Sequence, residues 1–287
     1  MADAMLDRNA MLAFQVHDSD RLPQTIAVRG IARHVGTTSI AANLALMFGR
    51  QASKTLVLDL SLWNSGLTQA FAGTPEPALI RLAEKFGTGM GLSVDFLETY
   101  ARSYSPNLDV LPGAEHWLEA PALHGENGWN FIQTLLVRAS ERWNTVVADL
   151  GSNTNIGEPR DTAFHPACAV HASVLYASST IVGISDSIEY LRHWQDHTNE
   201  DAYFRNKTIY VVNQHRPDLP FGLDRYKLDP TMRIQCGFIP ALTNGLLGRG
   251  GAAFFVERAS NSEHTSGPER QALGEFENIV LRVLGKA

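Results

Sequence analysis

Apolar residues along the chain follow two alternating rhythms. Short, mainly apolar runs that read as strands occur at 25–28 (Thr25, Ile26, Ala27, Val28), 55–58, 108–111, 145–149, 173–177, 207–213 and 234–240, the first two as buried strands. The run at 108–111 is stopped by the turn pair Pro112 and Gly113. Between the runs, apolar positions recur at helical spacing. Ile40, Ala41, Leu44, Ala45, Met47 and Phe48 mark a helix over 39–48, and further helices are predicted at 78–86, 94–103, 129–143, 186–197 and 269–284. Strands alternating with helices of this length predict right-handed βαβ units. The expected architecture is a doubly wound, mostly parallel sheet of about seven to eight strands with helices on both faces.

Such sheets carry their sites at the carboxyl ends of the strands. Three polar residues stand where apolar runs stop: Asp59, Asp149 and Asn213. The first run leads into a glycine-containing loop, Arg29 to Thr38, and then into the helix at 39–48, which is the phosphate-loop arrangement. Residues 1–24 read as a polar leader. They carry Asp3, Asp7, Arg8, Asp18, Asp20 and Arg21 and no continuous apolar signal-peptide core. No Pro/Gly/Ser-rich linker divides the remainder, so 25–287 is expected to form one domain.

Composition narrows the classes of function. With 44% hydrophobic and 19% charged residues, the 287-residue chain has a globular balance. A formal charge of −6 counts against coating nucleic acid by counterion release. Cys168 and Cys236 form no CxxC pair, which fits a reducing cytoplasm. No run approaches the roughly 20 apolar residues that span a bilayer, so any membrane association is expected to be peripheral.

The phosphate-loop pattern is G-x-x-x-x-G-K-[ST]: amides surround phosphates, the lysine neutralises β/γ oxygens, and the hydroxyl binds magnesium. The last four positions here read Val35, Gly36, Thr37 and Thr38. Gly36 and the Thr38 hydroxyl are kept, and Thr37 stands at the lysine position. The segment from Ala32 to Ser39, followed by Ile40, Ala41, Ala42, Asn43, Leu44 and Ala45, resembles the deviant Walker A region of the ParA/MinD superfamily, K-G-G-V-G-K-T-T and then N-L-A. The resemblance continues through Leu56 to Leu62 (the switch-carboxylate segment, with Asp59), 108–112, 143–150 (the Walker B strand, with Asp149), Val211, Val212 and Asn213 (the adenine-contacting asparagine), and Phe238, Ile239 and Pro240. It covers about 25–286 in the expected order, and is strongest to the CpaE/TadZ branch of pilus-assembly and secretion positioning factors.

That resemblance implies a nucleotide cradle of Arg33, His34, Val35, Gly36, Thr37, Thr38, Ser39 and Asn213, with magnesium at Thr38, Asp59 and Asp149 and ATP or ADP as ligand. It also implies protein partners in a pilus, secretion or envelope assembly, a homodimer, and recruitment to the inner membrane or cell pole through those partners. The departures bear on catalysis. Ala32 replaces the signature lysine, Arg33 and His34 replace two glycines, Thr37 replaces the Walker lysine, and Ser61 replaces the second aspartate of a D-x-D pair. Losing both lysines removes the charge that phosphoryl transfer depends on, so very weak or no ATP hydrolysis is expected, with Asp59 a remnant switch carboxylate. The rival expectations are a ParA-like ATPase of plasmid partition or conjugation and a MinD-like membrane-associated regulator.

Other candidate ligands read more simply. His193 and His197 lie at i and i+4 but lack an HExxH glutamate, which favours a solvated helix face. His165, Cys168 and His171 are interrupted by Pro166 and read as a loop. The closing helix mixes Glu269, Glu275 and Glu277 with Arg270, Arg282 and Lys286, short of the basic face that anionic lipids favour, so packing onto the sheet is expected.

Overall fold

The computed structural model describes residues 24–30, 35–51, 53–61, 66–72, 78–113, 123, 125–152, 172–178, 208–215, 236–240, 255–257 and 266–283. Eight strands form one sheet: β1 (Gln24–Gly30), β2 (Thr55–Asp59), β3 (Arg102–Ser105), β4 (Leu108–Leu111), β5 (Thr145–Ser152), β6 (Ala172–Ser178), β7 (Thr208–His215) and β8 (Cys236–Pro240). Their spatial order is β3-β4-β2-β5-β1-β6-β7-β8. Every neighbouring pair is parallel except β3 with β4, an antiparallel edge hairpin. The described helices are α1 (Thr37–Arg50), α2 (Gly66–Ala72), α3 (Ala78–Gly87), α4 (Val94–Tyr100), α5 (Gly125–Ser140) and α6 (Gly267–Val283).

The period of two along each strand divides the core into two layers. Ile26, Val28, Val57 and Val147 join α1 residues Ile40, Leu44 and Phe48 and α6 residues Phe276 and Val280 on one face. Leu56, Leu58, Val146 and Ala148 join α3, α5 and Trp143 on the other. Both faces are therefore covered, as a parallel sheet requires. The buried Trp143 indole is satisfied by donating to Asp109 Oδ2 at 2.8 Å. The closing helix packs against β8 and α1 through Ala272, Phe276, Ile279 and Val280, in agreement with its sequence pattern. A capping box starts it: the Ser266 amide donates to Glu269 Oε2 at 2.9 Å, and the Glu269 amide donates back to Ser266 Oγ at 3.4 Å.

Several boundaries differ from the sequence expectation. The helix expected over 94–103 stops at Tyr100, because Ala101 is extended and residues 102–105 pair with β4 across the turn at Pro106 and Asn107. The helix expected over 129–143 is displaced toward the N-terminus, to Gly125–Ser140. Helix α2 has no counterpart in the sequence expectation. Gln24, placed in the polar leader, is the first residue of β1. Asp59 does end its strand, whereas β5 continues past Asp149 to Ser152 and β7 continues past Asn213 to His215. The helix expected over 186–197, the two histidine groups and the rest of the leader lie outside the described residues. No described helix is long and apolar enough to cross a membrane.

Candidate functional site

Helix α1 starts without a side-chain cap. The residue before it, Gly36, has φ +92°, in the left-handed region that glycine adopts at low cost, and its carbonyl accepts the Ile40 amide at 3.0 Å. A Cβ at Gly36 would overlap Asn213 Nδ2. The first-turn amides of Thr37, Thr38 and Ser39 have no partner within the helix, and the helix dipole adds positive potential there. This is the geometry of an anion cradle. It is braced from two directions. Asn213 donates from Nδ2 to the Val35 carbonyl at 2.9 Å, and its Oδ1 accepts the Gln214 amide at 2.9 Å. Asn43, fully buried in α1, donates to the Ser39 carbonyl at 2.7 Å and accepts the Val256 amide at 2.9 Å.

Cationic charge is missing from residues 35–39. Thr37, at the lysine position, is 6% exposed. Arg29 is buried nearby in β1, but the alternation that sends Val28 toward α1 sends Arg29 to the opposite face of the sheet. Ala32, Arg33 and His34 lie outside the described residues.

The acidic side of the site is fully assembled. Asp59 and Asp149 are direct partners in the β2–β5 register, and Asp149 also pairs with Val28 of β1. They are 1% and 0% exposed. Thr38 Oγ1 donates to Asp149 Oδ2 at 2.7 Å, and the Gly151 amide donates to Asp149 Oδ1 at 2.9 Å. Gly151, at φ +66°, leaves room for no more than the Ser61 hydroxyl beneath it. Asp59 looks toward α2. Its Oδ2 accepts both the Thr68 amide at 2.8 Å and the Thr68 hydroxyl at 2.7 Å, and its Oδ1 accepts the Ser61 amide at 3.3 Å.

Burial raises both carboxyls well above their ordinary range. Asp59 is pushed up to about 7, first by desolvation and then by the Asp149 charge, against the opposing pull of the Thr68 and Ser61 bonds. Asp149 is pushed up to about 6 by desolvation, opposed by Thr38 and Gly151. Two buried carboxylates beside a hydroxyl are hard oxygen donors whose negative charge burial leaves poorly solvated. Magnesium fits this set: it takes one or two carboxylates and completes its shell with water and phosphate oxygens. Among the described residues no group of three or more His, Cys, Asp or Glu forms a self-sufficient metal cage.

Of the expected site residues, the structure brings together Val35, Gly36, Thr37, Thr38, Ser39, Asp59, Asp149 and Asn213 at the carboxyl edge of the sheet. Thr68, Gly113 and Asn43 also belong to this network and were not picked out from sequence. Asn43 is the asparagine of the N-L-A helix. Gly113 is legible only as half of the turn after the run at 108–111, and Thr68 carries no local signal.

No model of a protein family matches the sequence, and no curated protein matches it. Solved structures do. The cell division ATPase MinD of Pyrococcus furiosus superposes with a TM-score of 0.64 at 15% identity, over 92% of this chain and 100% of that one. The septum site-determining protein MinD of Pyrococcus horikoshii, complexed with Mg-ADP, gives 0.62 at 15% identity over 92% and 99%. A ParA family ATPase from Chlorobium tepidum gives 0.61 at 14% identity over 92% and 93%. At these identities the shared property is the fold: a P-loop α/β sheet of the ParA/MinD type.

Proposed function

We propose that the chain is a degenerate member of the ParA/MinD superfamily that binds a magnesium nucleotide with little or no hydrolysis and works by docking on protein partners. The observation that carries this reading is an intact Thr38–Asp149–Asp59 cluster beside a loop whose lysine position is Thr37. The nucleotide would be held by Val35 to Ser39 with Asn213, joined by Arg33 and His34, and magnesium by Thr38 and Asp149 beside Asp59. A bound magnesium ion would supply charge to the phosphates. The residues present would contribute amides, a hydroxyl and carboxylates, and none of 35–39 would neutralise a γ-phosphate.

The resemblance to the CpaE/TadZ branch makes a pilus, secretion or envelope assembly the machine served, with a homodimer as the working form. Catalysis of phosphoryl transfer is mostly charge stabilisation and positioning, so loss of both lysines falls on the chemical step. A partition-type ATPase is the second reading, favoured by the retained acidic cluster. Packing of α6 on β8 and α1 counts against a helix reserved for membranes.

Calorimetric titration with ATP and ADP in magnesium, beside a phosphate-release assay, tests the first claim. Binding without turnover supports it. Turnover comparable to an active relative that disappears in Asp59→Ala refutes it. Affinity capture followed by mass spectrometry separates the machines: pilus or secretion ATPases support the assembly reading, and a centromere-binding protein supports partition.

A further inference from the structure

Thr68 is completely buried and makes three polar contacts with two other elements. Its amide and its hydroxyl both donate to Asp59 Oδ2, and its hydroxyl oxygen accepts the Gly113 amide at 2.9 Å. The chain leaving β4 passes so close to Asp59 that a Cβ on Gly113 would stand 2.6 Å from the Asp59 carbonyl oxygen. Two residues before Thr68, Gly66 lies against Thr38: a Cβ there would meet Thr38 Cγ2 at 3.1 Å and Oγ1 at 3.3 Å. One helix therefore touches both halves of the acidic site, Asp59 through Thr68 and Thr38 through Gly66. Thr38 in turn donates to Asp149.

We propose that Thr68 is a positioning residue that holds the Asp59 carboxylate on α2 and seats residues 66–68 against Thr38, so that cation binding at Thr38 and Asp149 is coupled to the docking of α2. This rests on the magnesium-nucleotide reading of the site. The coupling follows from shared groups. A cation would bind Thr38 Oγ1 through a lone pair while its proton stays on Asp149, so the room around that oxygen decides the fit, and Gly66 of α2 stands close to it. Thr68 fixes how far α2 can yield, because its hydroxyl is both donor to β2 and acceptor from the exit of β4. A buried hydroxyl with both roles filled is costly to move without a substitute partner.

The test uses the full chain as wild type, Thr68→Val and Thr68→Ser. Valine keeps the shape and the amide but removes the hydroxyl, and serine keeps the hydroxyl. Amide exchange at Gly113 and across 66–72 should quicken about tenfold in Thr68→Val and stay near wild type in Thr68→Ser, while exchange in α6 stays unchanged. A uniform rise that includes α6 means general loosening and overturns the proposal. Calorimetry with ATP in magnesium and with ATP in EDTA isolates the cation-dependent part of affinity. That part should fall about tenfold in Thr68→Val, with EDTA affinity unchanged and serine close to wild type. Equal cation-dependent parts in all three proteins overturn the coupling. If wild type binds no nucleotide, the nucleotide reading falls by itself. The coupling is then judged by exchange with and without magnesium chloride: added protection of 66–72 in wild type but not in Thr68→Val supports it, and no response in wild type overturns it.

Discussion

The cation side and the phosphate side of the site share an edge of the sheet but are integrated with the fold to different degrees. On the cation side, each oxygen also holds structure together. Asp149 anchors the Gly151 turn and Thr38, and Asp59 anchors Ser61 and α2. On the phosphate side, the backbone is braced by Asn213 and Asn43, while the lysine position carries a threonine that is nearly buried and uncharged. A loop lysine contributes charge to a ligand and little to packing, so its absence leaves the fold intact. An aspartate of the cluster cannot be removed so quietly. Changes on the acidic side should therefore appear in stability, and changes at the lysine position in binding.

The largest expected effect is on pH dependence. Folding raises Asp59 to about 7 and Asp149 to about 6, against an ordinary 3.8. Between pH 4 and 7 the folded state holds protons that the unfolded chain has lost. Stability from this pair is thus complete below about 4 and disappears as pH rises through about 7, a loss on the order of 7 kcal/mol. Denaturant unfolding at pH 5 and 7.5, compared between wild type and Asp59→Asn, isolates it. The variant should lose less stability than wild type on moving to pH 7.5. Equal losses would mean that the acidic cluster is not electrostatically strained. Magnesium nucleotide should restore stability to wild type at pH 7.5, where the carboxylates are ready to accept a cation.

Second comes the cradle itself. Gly36→Ala forces a side chain into φ +92° and onto Asn213 Nδ2. It should destabilise the chain by about 3 kcal/mol, seen as a shifted denaturation midpoint. A neutral result would show that the loop relaxes freely and that its shape is not held for a phosphate.

Legibility in the sequence follows the same division between backbone pattern and tertiary contact. The unbroken apolar runs at 55–58 and 145–149 identified β2 and β5, and the polar residues closing them identified Asp59 and Asp149. Strand β3 escaped because Arg102, Ser103, Tyr104 and Ser105 have no buried face of their own and are strand by virtue of pairing with β4. Pro106 and Asn107 were the available turn signal there. Helix α2 is as short as α4, and its few apolar positions, Leu67, Ala70 and Phe71, follow directly on Asn64, Ser65 and Gly66, which read as loop. Thr68 could not be found locally, since its partners lie 9 and 45 positions away along the chain. A polar residue at Asp149 or Asn213 reads as a strand end, but β5 and β7 continue past them because both side chains are satisfied, Asp149 by Thr38 and the Gly151 amide, Asn213 by the Val35 carbonyl and the Gln214 amide.

Third, restoring the cation tests whether the phosphate side is merely uncharged or has lost its shape. Thr37→Lys should tighten ATP binding about thirtyfold, the worth of one charge-assisted contact, with a smaller change in stability. Turnover should remain negligible, because Ala32 still stands at the signature-lysine position. Calorimetry and phosphate release check both halves. A stability loss without an affinity gain would place the defect in the loop's backbone instead of its charge.

The smallest effect sits at the joint between the two sides. Thr38→Val removes the hydroxyl that donates to Asp149 Oδ2 and would serve the cation. Thr38 is only half-buried, so the stability loss should be about 1 kcal/mol. The same change should abolish the magnesium-dependent part of nucleotide affinity while sparing the part measured in EDTA, because the loop amides are untouched. A residue that belongs equally to packing and to the ligand should thus show a small thermal shift and a selective binding defect together. If Thr38→Val instead costs as much stability as Asp149→Ala and leaves the magnesium increment unchanged, the hydroxyl is structural and the cation side ends at the two carboxylates.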